Sequence, residues 1–464
     1  MPNDGPPPKK RRRWLRRLLI VFGVLAIAAF FFFRDEALKP VDDLLPQRAS
    51  VAWNDDNGWK RLADFAPGLP ALPDDVRRRL YSVMDYDREP DPAEVTKFTL
   101  TAAQLTELES IAAAPQFHDR TYEIEDMDYT YLHGLRRLFQ FTLLAAVEEN
   151  NIPLALRCVR ITAALQKRMT GGATHILSYL IGITLFEHEA VARVLLRLQW
   201  NETELKELAA ILANDPVVPD ELQEAMCQEF RRSSNLILST DGPPEIVDHI
   251  FFKTKPPPKF LYQKNRTINL MADALRRDRK LTLTAPWSEI KRRREQYLDT
   301  EDFLPWLEPN LYGKALVGPQ VPASFDSRWR RTNGTRRMLQ VLVALHRYHL
   351  AHGTSPSTLT ALVPDFLPAV PLDPFTFEPL PWHSSLRAVQ CTDDNGVLSP
   401  PDPKQVKPFS SNKSVFLFRT KAEEDARRAA LPLLPPPRLK ATPRPATPKA
   451  AIRLRAPTTE VPSQ

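Results

Sequence analysis

The sequence predicts a mostly α-helical chain: one N-terminal transmembrane helix, a helical bundle or hairpin array, and a small C-terminal α+β module. Three observations carry this. An uncharged run, LLIVFGVLAIAAFFFF at 18–33, follows the basic cluster KKRRRWLRR at 9–17. Apolar residues recur at helical spacing through most of 132–213. Two short β-type stretches, 386–391 and 414–419, lie either side of Asp394-Asn395-Gly396, which has hairpin-turn chemistry.

At a rise of about 1.5 Å per residue the uncharged run covers roughly 24 Å. A hydrocarbon core is nearer 30 Å. Trp14, Leu15 and the snorkelling side chains of Arg16 and Arg17 make up the difference. Arg34, Asp35 and Glu36 close the run. The positive-inside rule then puts the N-terminus in the cytoplasm and the body outside the bacterial inner membrane. Ala26-Ile27-Ala28 has the small-x-small form of a signal-peptide cleavage site, but four phenylalanines follow it, so an uncleaved anchor is the expectation. A prepilin leader is excluded, because Gly23 lies inside the run and Ala28 stands where an acid is required.

Composition bounds the rest. The 464 residues, 43% of them apolar, suffice for two or three ordinary domains. With 45 prolines against 14 glycines, proline punctuation between helices is expected rather than glycine linkers. Much of the net charge of +7 sits at the two ends. Cys158, Cys227 and Cys391 match no zinc or redox spacing, and the odd count argues against a full disulfide framework.

The expected organisation is a cytoplasmic basic tail (1–17), the transmembrane helix (18–33), a stalk and cap (34–70), a helical body (71–252), a proline-interrupted helical segment (253–335), an α+β module (336–420), and a short helix with a disordered basic, proline-rich tail (421–464). Within this, Asp55-Asp56-Asn57-Gly58-Trp59 reads as a turn opening a short amphipathic stretch. Helices are expected at 71–84 and at 101–113, the latter with Thr101 as N-cap and Gln104 at the capping-box position. Further helical patterns run from 132 to a break at Glu148-Glu149-Asn150-Asn151, from Ile152 to a break at Gly171-Gly172, from about His175 to Leu198, and from Glu202 to Ala213 after the cap candidate Asn201. Short breaks between them imply antiparallel neighbours. Patterns continue at 219–236, 262–279 and 287–298, interrupted by Pro243-Pro244 and Lys255-Pro256-Pro257-Pro258-Lys259. A helix from Arg336 ends at the natural C-cap Gly353, and SPSTLTALVP follows as a shorter one.

Residues 344–382, ALHRYHLAHGTSPSTLTALVPDFLPAVPLDPFTFEPLPW, resemble the globular part of type II secretion pseudopilins. The shared features are the helix ending at His352-Gly353, Pro356, Leu362-Val363-Pro364, and the Pro371-Leu372-Asp373-Pro374-Phe375 turn entering a small sheet. In pseudopilins that helix continues from the membrane helix; here some 300 residues intervene. Ser355 replaces the usual aromatic residue, and the glycine-rich acidic end that binds calcium is missing. A broader resemblance is to membrane-anchored bacterial envelope proteins with no activity attached to them. It rests on Asp55 to Trp59, on Leu177-Ser178-Tyr179-Leu180-Ile181-Gly182, on Asn265-Arg266-Thr267, on Pro309-Asn310-Leu311, and on the same C-terminal module.

No catalytic, cofactor or metal residue follows from the sequence. His188-Glu189-Ala190-Val191-Ala192 begins like a zinc-protease helix, but Ala192 stands where the second histidine belongs, which leaves a partly exposed helix histidine. His346, His349 and His352 fan around a helix end without a built-in carboxylate, and His352 suits the negative helix terminus. Glu123, Glu125, Asp126 and Asp128, among Tyr122, Tyr129 and Tyr131, are the candidates for paired-carboxylate glycan hydrolysis. A solvated loop is the simpler account of them. Asp85-Tyr86-Asp87-Arg88-Glu89-Pro90 starts like a calcium loop but has proline where glycine is required. The basic runs Arg276 to Lys280, Lys291 to Arg294 and Arg328 to Arg337, near Trp287, Trp306 and Trp329, read by default as solvated helix faces. The functional expectation is a membrane-anchored envelope scaffold, with the link to secretion that the resemblance implies. The alternative is an envelope glycan or peptide hydrolase using 123–128. The implied partners are membrane lipid through residues 18–33 and an envelope protein; no nucleic acid is expected.

Overall fold

The computed structural model describes residues 14, 17–24, 34–46, 52–73, 75–76, 92–119, 130–173, 176–186, 188–213, 219–240, 262–298, 323–392, 409–410 and 415–429. Helices α1 (Gly58–Phe65), α2 (Pro92–Phe98), α3 (Ala102–Ala112), α4 (Thr130–Glu148), α5 (Ile152–Gly171), α6 (Ile176–Leu185), α7 (His188–Arg197), α8 (Glu202–Ala213), α9 (Pro219–Ser239), α10 (Lys264–Thr284), α11 (Trp287–Leu298), α12 (Ala323–His352) and α13 (Lys421–Ala429) build it. A four-stranded antiparallel sheet of β1 (Trp382–His383), β2 (Ala388–Gln390), β3 (Phe409–Ser410) and β4 (Val415–Leu417), in the order β1-β2-β4-β3, completes it. The mostly helical class with a small sheet is as expected. Residues 17–24 are helical, with Leu19, Ile20, Val21, Phe22 and Val24 exposed. Among the described residues no helix is long and apolar enough to cross a membrane, and residues 25–33 lie outside them.

Local signals place most helix ends. Thr101 and Gln104 form a full capping box, with Gln104 N donating to Thr101 Oγ1 at 3.2 Å and Thr101 N to Gln104 Oε1 at 2.9 Å. Asn201 and Glu204 repeat the reciprocal pair at the start of α8, both bonds at 2.9 Å. Gly353 ends α12 at φ +71°, its N–H donating to His349 O at 2.7 Å.

Three elements differ from the expectation. The single helix expected at 175–198 is two, broken after Leu185. The break frees carbonyls near the end of α6, and the buried Gln166 Nε2 of α5 donates to one of them, Ile183 O, at 2.7 Å. The helix expected from Arg336 begins at Ala323, because arginines in its first half find partners inside the fold rather than in solvent. SPSTLTALVP supplies only a 3-10 turn, Leu359–Leu362. The two expected strands do pair, Ala388 with Leu417 and Gln390 with Val415.

α12 is the axis of the core. Met338, Leu339, Val341, Leu342, Val343, Ala344 and Leu345 are all buried, and only Gln340 of this stretch is half-buried, its Nε2 donating to Leu212 O at 2.8 Å. It packs against α6, α7, α8, the 3-10 turn, β2 and β4. Burying these side chains contributes roughly 10–15 kcal/mol before entropy. The sheet alternates as its pleat requires: Val389 and Phe416 enter the main core, while Ala388, Val415 and Leu417 form a small cluster on the other face. The main core is continuous from Trp59 to Phe418 and so joins the α+β module to the helical body. A second cluster unites α9 and α10 through Met226, Phe230, Ile237, Ile268, Met271 and Leu275.

Two glycines test this packing. A Cβ on Gly134 of α4 meets nothing within 4 Å, whereas one on Gly58 collides with the Phe117 ring and comes to 2.9 Å from Ile111 O. Urea unfolding of Gly134→Ala should show a gain of about 0.5–1 kcal/mol. Gly58→Ala should lose about 1–3 kcal/mol. Equal effects at both positions would contradict the packing.

Candidate functional site

The Asp55–Trp59 motif is a structural clasp. Asn57 is buried and caps α1, its Oδ1 accepting from Trp59 N and His118 N, both at 3.0 Å. Its Nδ2 donates to His118 O at 2.8 Å. Gly58 N donates to Gln116 O at 2.8 Å, and the Phe117 ring lies edge-on to Trp59 with centroids 5.9 Å apart. Gly172 receives the same loop from the other side: Asp119 N donates to Gly172 O at 3.1 Å, and a Cβ there would strike Phe117 O. Only glycine leaves room for the loop at both positions. Asn57 spends its side chain on backbone groups.

His188 is not partly exposed, as its helix pattern led one to expect. His188 is buried, stacked 4.7 Å from Phe186. Burial, with smaller contributions from Arg336 and Arg136, pushes its pKa well below the ordinary value. Ala192 is buried too, so the zinc-type helix face points into the core. His346 and His349 both turn toward Phe418, at 4.8 and 5.8 Å, whereas His352 lies 4.3 Å from Tyr348. Burial, aided by His349, lowers His346 to about 3. Among the described residues no group of three or more His, Cys, Asp or Glu is placed to hold a metal ion.

The cysteines are free and buried. Burial raises Cys158 to about 12 and Cys391 well above its ordinary value, and it raises Cys227 despite the neighbouring Arg279. Protonated thiols of this kind are poor nucleophiles. Cys391 donates to the buried Asp373, 3.4 Å away. Asp373 also accepts from Phe375 N, Thr392 N and Thr392 Oγ1 at 2.6–2.7 Å, which ties the Pro371–Phe375 turn to the end of β2. All these donors come from the module itself, so Asp373 is a structural staple.

Within the third basic run Arg330 and Arg336 are buried in the fold, which corrects the reading of that run as a solvated face, whereas Arg292 of the second run stays exposed as expected. Arg330 is fully buried, donates to Pro374 O and to Ala285 O, and lies over the rings of Trp287, Trp329 and Phe377 at 5.5–5.9 Å. Arg336 Nε donates to Leu212 O at 3.1 Å and its Nη2 to Ile211 O at 3.3 Å, compensating the carbonyl end of α8. Arg337 reaches Leu372 O at 2.6 Å. In the second run, Arg292 pairs with Glu289 at 2.8 Å. The acidic segment Glu123 to Asp128 and the calcium-like loop at 85–90 lie outside the described residues.

The feature best placed for a function is one the sequence concealed. Residues 34–46, expected as a stalk, run along α10 as a zipper. Asp35 caps the helix, its Oδ2 accepting from Asn265 N at 2.9 Å and its Oδ1 from Arg266 N at 3.0 Å. Asn269 then clamps the chain on both sides, accepting from Lys39 N and donating to Ala37 O, each at 2.9 Å. Lys39 pairs with Asp273 at 2.8 Å. Arg276 holds the Asp43 carboxylate with two nitrogens, at 2.6 and 2.9 Å, and this hydrogen bonding lowers the Asp43 pKa. Leu44 is buried at the end of the zipper. The partners are more than 200 residues apart in sequence, so no local pattern reveals them.

Two outcomes follow. Arg276→Glu should release residues 34–46, raising their amide exchange, and Asp43→Arg in the same chain should restore protection; unchanged exchange in the single variant would contradict the zipper. Second, His346 and His188 are neutral in the fold but titrate near 6.5 when unfolded. Their stability contribution is complete above about pH 6.5 and falls as pH drops, for His346 down to about 3, by about 1.4 kcal/mol per pH unit for each histidine that stays neutral in the fold. His346→Leu should shallow the pH dependence of urea stability between pH 6 and 4 by one proton, and an unchanged slope would refute the assignment.

Searches against protein-family models, curated proteins and solved structures return no match to this chain.

Proposed function

We propose that the chain is a membrane-anchored scaffold of the bacterial cell envelope. Residues 18–33 serve as the inner-membrane anchor, residues 1–17 as a cytoplasmic basic tail, and the body lies outside. The observation that carries this reading is the join between anchor and body. The exposed apolar helical residues 19–22 and 24 belong to the run that ends at Phe33, and two residues later Asp35 is fixed on the N-terminus of α10. A rigid take-off of this kind suits a protein that must hold a surface at a set height and orientation above a bilayer.

A scaffold is favoured over an enzyme because the cysteines, His188, Asp373, Arg330 and Arg336 are all buried inside the fold. The engagement of Arg330, Arg336 and Arg337 by carbonyls is further reason to expect no nucleic-acid partner. The likeness of residues 344–382 to pseudopilins is taken as one of fold. Burial of α12 from Met338 to Leu345 argues against that helix being offered to a pseudopilin. The partner is an envelope protein met through the surface of the body.

The test is fractionation of the producing cells with a tag after Gln464. The chain should stay in the membrane pellet through alkaline carbonate, a variant lacking residues 1–33 should be released, and protease added to intact spheroplasts should remove the body. Protection of the body until lysis would overturn the topology.

A further inference from the structure

The α9–α10 end of the body carries leucines that are exposed in the structure. α9 and α10 run antiparallel. Arg279 Nη1 lies 3.9 Å from Cys227 Sγ, and Ile237 and Ile268 are buried in one cluster. Stepping equal lengths along both helices from the Cys227–Arg279 pair brings Ser239 level with Thr267. The C-terminal end of α9 therefore shares one end of the body with the N-terminus of α10, where Asp35 is bound. At that end Leu236 and Leu238 of α9 are each 49% exposed, and Leu38 of the zipper is 48% exposed.

Distance then selects what meets them. Consecutive Cα atoms are about 3.8 Å apart, so Asp35 lies within roughly 8 Å of Phe33, the last residue of the uncharged run. On the anchor reading, on which this inference rests, the end bearing the three leucines sits at the lipid headgroups. We propose that this end is a second membrane contact: Leu236, Leu238 and Leu38 enter the interfacial layer of the bilayer, and the body lies on the membrane instead of standing off it. Apolar side chains beside a polar backbone suit that layer, where each buried methylene adds to membrane affinity. The zipper makes the contact geometric, since it prevents the α10 N-terminus from rising away from the anchor.

The experiment uses the full chain in vesicles of anionic phospholipid. Leu236→Cys and Leu238→Cys are labelled, one at a time, with an environment-sensitive fluorophore. The native thiols are buried and do not compete. Leu350→Cys is the control. Leu350 is exposed and lies roughly 30 Å along α12 from Trp329, which packs in the α9–α10 cluster. Blue-shifted emission is expected at 236 and 238, with quenching there by nitroxide lipid, and neither at 350. Water-like emission at all three sites in a chain that still floats with the vesicles overturns the contact while leaving the anchor intact. Blue-shifted emission without nitroxide quenching overturns it in favour of a protein partner or a second copy. A chain that fails to float defeats the anchor reading and this inference with it.

Discussion

Between Met338 and Leu345 every apolar side chain of α12 is buried and only Gln340 is half-buried, and the rest of the body is arranged around this stretch. A helix apolar on nearly every side needs neighbours on nearly every side. Here α6, α7 and α8 supply one set, and the sheet with its 3-10 turn supplies the other. The same requirement explains why the small sheet does not stand apart. Val389, Phe416 and Phe418 are the lid on α12, and without them its C-terminal half would be half exposed. Helix and sheet are therefore one structural unit with the body.

Such a core leaves charged residues with an awkward task. Arg330 and Arg336 project from the first half of α12 into places with little water. A buried guanidinium is tolerable only when its donors are satisfied. Backbone carbonyls take two nitrogens of each, Nη1 and Nη2 of Arg330 and Nε and Nη2 of Arg336, with aromatic faces around Arg330. A related economy operates at the C-terminus, where Glu424 is buried between Arg419 and Arg427. Burial alone would raise its pKa, but the hydrogen bonds and charge of the arginines outweigh this and hold it low. Several arginines of the body thus serve the fold.

What the sequence made legible was local. The capping boxes at Thr101–Gln104 and Asn201–Glu204, the glycine C-cap at 353, and the β2–β4 pair all depend on residues a few positions apart or on alternating burial. What it concealed was long-range. Nothing near Asp35 announces Asn265, and nothing near Arg336 announces the carbonyl of Leu212. The basic run 328–337 reads as a solvated face because charge is normally exposed, and only the carbonyl ends around it reverse that. The break after Leu185 was hidden for the same reason: uniform apolar spacing continues across it, and the Gln166 donor that satisfies it belongs to another helix. The zinc-type chemistry considered for His188 had already failed on spacing, and the burial of His188 and Ala192 adds a second reason that no local pattern could show.

Whether α12 binds module and body into one unit is tested most directly by hydrogen exchange of the native chain, followed by mass spectrometry across increasing urea. Core amides in 338–345 of α12, 155–166 of α5, 190–196 of α7 and 388–390 of β2 should share one opening free energy and one denaturant slope, as a single cooperative unit does. If 338–345 and 388–390 open together at a distinctly lower free energy while α5 and α7 stay protected, the module is a separate domain and α12 does not unite it with the body.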